Sequence, residues 1–219
     1  MTTARVEAAR PEFQPEDAAP ASGETGFAER REGHRHRTVY RVVKLSVRGT
    51  TSLSHLCNIS DEGLMASVDD AVDTGEAVAV ELSPDHRVTG RTVWVKDGHC
   101  GVAFDAPIDS EALLHELAEE QRSARHRAPR LDAQLLGVAY SERGLHPVRT
   151  TNLSQMGIGL THDGRLEPGL HLLMTLENGI ERRGVVRWSH EHSAGVLLTE
   201  PLGCSEVNRC ASMTATGHC

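Results

Sequence analysis

Apolar and polar residues alternate along the chain in short segments, with the period of two that is typical of half-buried β-strands. In the first segment, Val43, Leu45 and Val47 alternate with polar residues. Five more such segments follow in the first half of the chain: Leu53–Ile59, Leu64–Val68, Ala77–Leu82, Val88–Lys96 and Cys100–Phe104. Because turn-forming residues separate them, the pattern predicts a small antiparallel barrel or sandwich.

A helix is predicted directly after the last of these strands, in the segment IDSEALLHELAEEQRSARHR. Asp109 or Ser110 can cap its first turn, and Leu113, Leu114 and Leu117 fall on one face. The helix leads into the second half of the chain. We therefore expect a helix, rather than a flexible linker, to join the two halves.

The second half repeats the first at a constant offset of 94 positions (Asn58 to Asn152). No gap is needed from Asn58 to Val102. The matched pairs are Asn58 and Asn152, Ser60 and Ser154, Gly63 and Gly157, Trp94 and Trp188, and Gly101 and Gly195. So long a register indicates a tandem duplication, and repeats of this kind are units of one architecture. Both tryptophans are interpreted as barrel packing.

The duplication divides the chain into four parts. Residues 1–32 are rich in Ala, Pro and Glu and poor in large apolar residues, so they are predicted to be disordered. The first domain spans 33–118 and includes the helix. The second spans 119–203, and residues 204–219 are expected to form a flexible tail.

Composition excludes several function classes. A net charge of −8 argues against general nucleic-acid binding, and 3% aromatic residues argue against a base-stacking surface. No apolar run approaches the roughly 18 residues of a membrane span, so no membrane insertion is expected. The N-terminal segment has no apolar core that could serve as a secretion signal, so none is expected. With Cys57 and Cys100 in apolar strands, the chain is predicted to be cytoplasmic and reduced.

Two short polar motifs carry the candidate chemistry. Arg37 and Arg41 would share one face of a strand, about 13 Å apart, and so could hold two parts of an extended anion. Asn58, Ser60 and Gly63 form a turn with donors, an acceptor and room for close approach. Such a turn suits the mixed donor and acceptor edge of a purine.

The motifs RTVYR (37–41) and NISDEG (58–63) resemble the RxxxR and [D/N]xSxxG motifs of the PilZ domain. The segment GRTVWVKDGHCGVAF resembles that family's closing hairpin. The resemblance covers about residues 31–117 and, in weaker form, 122–203. It implies all-β architecture, with two tandem six-stranded antiparallel barrels, and binding of cyclic di-GMP, a bacterial second messenger. It assigns ligand binding to Arg37, Arg41, Asn58, Ser60 and Gly63, with His36 as a further contact.

The second copy departs from this pattern. Asn152, Ser154 and Gly157 are retained, but His126 stands four residues before Arg130, where the motif has arginine. Arg130 also lies 22 positions before its asparagine, whereas Arg41 lies 17 positions before Asn58. A second site formed by Arg127, Arg130 and the retained turn is therefore expected to be weaker or lost. A structural or partner-binding barrel is the open alternative.

No enzyme motif or metal-ligand set was found. His190 and His192 lack further ligands at suitable spacing, and the cysteines of the tail are too widely spaced for a typical zinc pair. The sequence therefore predicts a non-enzymatic receptor. It would signal to an unidentified downstream protein through ligand-induced ordering of the arginine segment and rearrangement of the domains. The alternative is an adaptor that binds no nucleotide and acts through protein contacts.

Overall fold

The computed structural model describes the backbone of residues 36–69, 72–123 and 127–216, and the side chains of residues 41–213 within those ranges. The segment 1–32, predicted to be disordered, lies outside the described residues. The Gly33–Cys219 part of the chain forms one compact unit, and both halves of the duplication belong to it.

The first half folds into a closed barrel of six antiparallel strands, as predicted. Its strands pair in the order β1-β2-β3-β6-β5-β4, and β4 pairs again with β1. Alternate residues such as Val43, Leu45 and Val80 point inward and are buried. The strands are β1 (His36–Val47), β2 (Thr50–Ser60), β3 (Gly63–Ser67), β4 (Ala77–Ser83), β5 (His86–Lys96) and β6 (His99–Phe104).

Helix α1 (Ser110–Arg122) follows the barrel and confirms the predicted helix. The Asp109 carboxylate accepts a hydrogen bond from the Ala112 N–H at 2.9 Å, which satisfies one free donor of the first turn. Leu117 is buried against the first barrel, and Leu113 and Leu114 pack beside it. The helix therefore closes over the barrel that precedes it.

The second half forms a second closed circuit of six antiparallel strands, in the order β9-β10-β13-β12-β11-β8 and back to β9. A short additional strand, β7, pairs with β9. β7 and β8 together replace the single long β1 of the first barrel. The strands are β7 (Leu131–Asp132), β8 (Leu136–Ser141), β9 (Gly144–Leu153), β10 (Gly157–His162), β11 (His171–Leu176), β12 (Glu181–His190) and β13 (Ser193–Leu198).

The expected flexible tail is wrong for residues 204–216, which form helix α2 (Cys204–Thr216). Val207 and Cys210 lie three positions apart on one face and are fully buried. α2 begins 94 positions after α1 begins at Ser110, so it is the second copy's version of that helix. Its face is formed by small residues such as Val and Cys instead of leucines, which is why composition alone missed it.

α2 also joins the two barrels, because it packs against β2 of the first. The Asn208 amide accepts from the Leu53 N–H at 2.6 Å and donates to the Leu53 carbonyl at 3.0 Å, much as a neighbouring strand would. Leu53 is buried in the apolar core of the second barrel, and Val42 packs against that core. Cys204 Sγ lies 3.5 Å from His55 Nε2 in the same interface.

Replacing Asn208 with alanine is expected to lower the free energy of unfolding by about 1–3 kcal/mol, because two buried main-chain groups of Leu53 lose their partner. Urea denaturation followed by circular dichroism measures the change. Ser205→Ala, at an exposed position of the same helix, is the matched control. Equal stability of the two variants would contradict the role assigned to Asn208.

Candidate functional site

Each barrel carries the same polar turn with the same internal hydrogen bond. Ser60 Oγ donates to the Gly63 carbonyl at 3.2 Å, and Ser154 Oγ donates to the Gly157 carbonyl at 3.2 Å. A Cβ on Gly63 would collide with the Val102 carbonyl of β6, so glycine is required by close strand approach. The serines therefore hold the turns closed, and the asparagines are left at the rims.

In the first barrel, the turn opens onto a cleft of about 230 Å³ on the outer wall. Its lining includes Asn58, Ser60, Gly63, Met65, Val93 and Trp94. An amide, a hydroxyl and an indole thus border one shallow cleft. This set can hydrogen-bond the edge of a planar ring and cover its face.

The two tryptophans do not pack inside the barrels, contrary to expectation. Trp94 is 39% exposed and Trp188 is 50% exposed. Each ring lies across the neighbouring strand, over Gly101 or Gly195, where any Cβ would collide with it. The aligned Trp and Gly pairs were visible in the sequence. They indicate a ring that covers a glycine on the outer surface rather than a core residue.

Arg41 lies at the end of the first barrel, not in the cleft beside Asn58. Its Nε donates to the Leu82 carbonyl at 2.9 Å, and its Nη1 donates to the Leu117 carbonyl at 3.1 Å. Nη2 lies 3.6 Å from a Glu120 carboxylate oxygen. Burial lowers the pKa of Arg41, and Glu120 partly opposes that shift. Arg41 thus links β4 to the C-terminal turn of α1.

Arg37 and His36 lie in the first two residues of β1. The Arg37 backbone pairs with Asn58, and the His36 backbone pairs with Ile59. Their side chains lie outside the described part of the chain. The backbone register thus brings Arg37 next to the turn, as predicted, while the ladder is irregular between Arg37 and Arg41.

A groove of about 340 Å³ between the barrels is lined by four positively charged side chains. Its lining includes Arg41, Lys44, Gln121, Arg127, Arg130 and Gln155. Lys44 Nζ lies 3.0 Å from a Glu81 carboxylate oxygen, and Arg41 donates a hydrogen bond to the Leu117 carbonyl of α1. Arg127 and Arg130 are left as the cations of the groove without a carboxylate partner among the described residues.

Arg130 stands directly over the second copy's turn. Its Nη1 donates to Asn152 Oδ1 at 2.7 Å, and a methyl group on Gly157 would lie 3.3 Å from its Nη2. Burial lowers the pKa of Arg130, and the nearby positive charge of Arg127 lowers it further. The structure therefore brings Arg130, Asn152, Ser154 and Gly157 together, and Arg127 is their charged neighbour.

Strand register identifies the first-barrel counterpart of Arg130. Asp132 pairs with Asn152, whereas Arg37 pairs with Asn58, so Asp132 corresponds to Arg37. Arg130 therefore corresponds to Arg35, outside the described residues. The spacing agrees: Arg35 lies 23 positions before Asn58, and Arg130 lies 22 positions before Asn152.

The counterpart of Arg41 in the second barrel is an apolar core residue. Arg41 pairs with Leu56, whose match in the second copy is Thr150. The Thr150 N–H donates to the Leu135 carbonyl at 2.9 Å, and Leu135 is buried. Arg41 therefore occupies an inward-facing strand position, which is filled by Leu135 in the second barrel.

A buried chain of polar side chains, which the sequence analysis missed, lies in the second barrel. Ser141 Oγ lies 3.0 Å from His146 Nε2, and His146 Nδ1 lies 3.5 Å from Asp163 Oδ1. The order resembles a serine, histidine and aspartate triad. Ser141 is buried, however, and its oxygen already accepts from the Arg143 N–H at 3.0 Å. The Ser141–His146 hydrogen bond therefore ties together the two strands of the β8–β9 hairpin.

His162 lies next to these side chains and is expected to make the stability of the second barrel depend on pH. Burial lowers its pKa, and this effect exceeds the opposing effects of the backbone hydrogen bond to Ser193 and of the negative charge of Asp163. A depressed histidine pKa means that stability is complete above about pH 6.5 and is lost as the pH falls below it. His162→Asn is therefore expected to flatten the fall in urea midpoint between about pH 7 and 5. His171→Asn, at an exposed position, is the control, and identical slopes for both variants would refute the assignment.

Within the described residues, no three His, Cys, Asp or Glu side chains are arranged to hold a metal ion. No helix in that part of the chain is both long and apolar enough to cross a membrane.

The two closed barrels, each with a polar turn and a following helix, define a class of small β-barrel modules with a surface cleft. Residues 29–120 match the family model described as the PilZ domain. The first barrel, with the helix that follows it, is therefore the part of the chain that matches the PilZ domain. The family assigned from the sequence motifs is confirmed.

Solved structures provide distant neighbours. PlzA of Borreliella burgdorferi in complex with c-di-GMP is 12% identical, with 80% of this chain and 88% of that chain covered and a TM-score of 0.35. The Bacillus subtilis inhibitor of motility (MotI/DgrA) is 16% identical, with 83% and 100% covered and a TM-score of 0.33. Escherichia coli YcgR in complex with c-di-GMP is 11% identical, with 78% and 81% covered and a TM-score of 0.31. No curated protein matches this chain.

Proposed function

We propose that this protein is a receptor for cyclic di-GMP and that the groove between its barrels is the principal binding site. The observation that carries the proposal is Arg130, which lies over the Asn152 turn with Arg127 beside it. Guanidinium groups match both parts of such a ligand, because their planar fork pairs with phosphate and with the O6/N7 edge of guanine. The PilZ match of the first barrel supports the same ligand class.

The second copy, expected to be the weaker, is thus proposed as the better assembled site. Arg130 is already held at the turn by Asn152, so less side-chain freedom is lost when an anion binds. Repulsion between Arg127 and Arg130 favours an anion that neutralises both. A ligand with two phosphates meets this requirement.

A second site is proposed on the first barrel, at the cleft of Asn58, Ser60 and Gly63. Register and spacing favour Arg35 over Arg41 as its arginine, because Arg41 is bonded to Leu82 and Leu117. Arg37 keeps its predicted role, since its backbone lies opposite Asn58. Trp94 borders the cleft and is placed to cover a base.

We infer that the signal is a change in how the barrels meet. Arg130 and Lys44 line the groove described above and also a second cavity of about 590 Å³ between β2 and α2. A ligand that binds Arg130 in the groove therefore acts on a residue shared by both sides of the interface. An unidentified downstream protein would detect the new arrangement, and an adaptor that binds no nucleotide is the alternative.

Calorimetric titration of cyclic di-GMP into the full chain, with thermal melting at saturating ligand, tests the receptor proposal. Heat release and a raised melting temperature are expected, because a ligand that binds only the native state stabilises it. Neither signal at saturating ligand would mean that the protein is not a receptor, and the adaptor alternative would replace it.

A further inference from the structure

The outer surface of the second barrel carries an apolar patch across β9, β8 and β11. Tyr140 lies opposite Leu145 on β9 and Leu173 on β11, and Val138 lies opposite Pro147. Leu145 is 61% exposed and Tyr140 is 58% exposed. The patch, called the β8 face below, consists of Leu136, Val138, Tyr140, Leu145, Pro147 and Leu173. Contiguous exposed apolar surface of this kind marks interaction sites.

The equivalent face of the first barrel is already a barrel–barrel interface. Val42 pairs with His55, and Leu136 pairs with Arg149, so Val42 and Leu136 occupy the same position in the two copies. Leu53 matches Pro147 at the same offset. Val42 and Leu53 are covered by the second barrel, and Leu53 is 1% exposed. In the first barrel this face is covered by the second barrel. In the second barrel the equivalent face is exposed.

Unpaired charges of opposite sign lie at the two ends of the β8 face. Arg149 is opposite Leu136 at one end, and Glu142 follows β8 at the other. Neither side chain has an oppositely charged partner within ion-pair distance in the described part of the chain, since Arg143 pairs with Glu167 at 2.8 Å. The β8 face is therefore complementary to itself when a second one is rotated by half a turn.

We propose that the protein forms a homodimer through the β8 face, with the two β8 strands antiparallel across a two-fold axis. This arrangement covers the apolar side chains of both copies and brings Arg149 of each copy towards Glu142 of the other. Six side chains on each copy are far fewer than the roughly 20–30 residues that each partner contributes to a standard interface. The dimer is therefore weak and depends on protein concentration. This inference does not depend on the ligand.

Sedimentation velocity of the full chain from about 1 to about 100 µM tests the dimer, and the mass is expected to rise towards twice the monomer value over this range. Tyr140→Asp is expected to leave a monomer at every concentration. Leu197→Asp is the matched control, because Leu197 is an exposed apolar residue on β13 of the same barrel and lies outside the face. A monomeric parent, or a Tyr140→Asp variant that still dimerises, would overturn the proposal.

A charge exchange tests the antiparallel geometry without disturbing the apolar side chains. Arg149→Glu and Glu142→Arg are each expected to weaken the dimer about tenfold, and the double variant is expected to restore it. Failure of the double variant to restore dimerisation would reject the two-fold arrangement. A parent that dimerises only after removal of residues 1–32 would assign the face to that segment instead.

Discussion

Replacing Arg130 with alanine is expected to weaken cyclic di-GMP binding by about 30- to 100-fold, which corresponds to about 2–3 kcal/mol for a charge-assisted contact. The loss follows from geometry, because Arg130 is the cation that reaches the Asn152 turn and also lines the groove. Arg130→Lys keeps the charge but loses the planar fork, so an intermediate loss is expected. Calorimetric titration of both variants and the parent measures these changes.

Arg87→Ala is the control for this experiment, because Arg87 is exposed on the first barrel and does not line the groove. It should bind like the parent and report the general effect of removing one positive charge. The Arg130 side chain reaches solvent even though its guanidinium is partly desolvated at the turn, so its loss should leave the melting temperature without ligand almost unchanged. If the parent binds and Arg130→Ala binds equally well, the receptor proposal stands and the groove is not the principal site.

The fold could be predicted largely from local pattern. Alternation placed the strands of the first barrel, because each strand buries one face, and the 94-residue offset transferred the architecture to the second half. The same offset locates α2 once it is extended from Ser110 to Cys204. The helix was missed because its buried face is formed by Val207 and Cys210. These small side chains do not give the strong apolar pattern that leucines give in α1.

The arginines of the two copies could not be related to each other from the sequence, because an irregularity in β1 changes the strand register. Residues four positions apart share a face only in a regular strand, but the pairing register of β1 with β2 shifts between Arg37 and Arg41. In the second copy, the equivalent break separates β7 from β8. The RxxxR motif selects Arg37 and Arg41, whereas strand register relates Arg130 to Arg35. A spacing of 22 to 23 positions before the asparagine was the signal available in the sequence.

Arg41→Met is expected to lower the free energy of unfolding by about 2 kcal/mol, because two buried carbonyls lose their hydrogen-bond donor. Arg41 bonds to Leu82 on β4 and to Leu117 on α1, and its side chain is 13% exposed. Methionine keeps much of the length and apolar contact of the side chain, so the change isolates the lost hydrogen bonds. Urea denaturation measures it, with Arg87→Met as the control. If Arg41 were instead a free ligand-binding arginine, both variants would unfold at the same urea concentration. In the absence of ligand, an unfolding midpoint that falls only for Arg41→Met would show that this arginine holds α1 to its barrel.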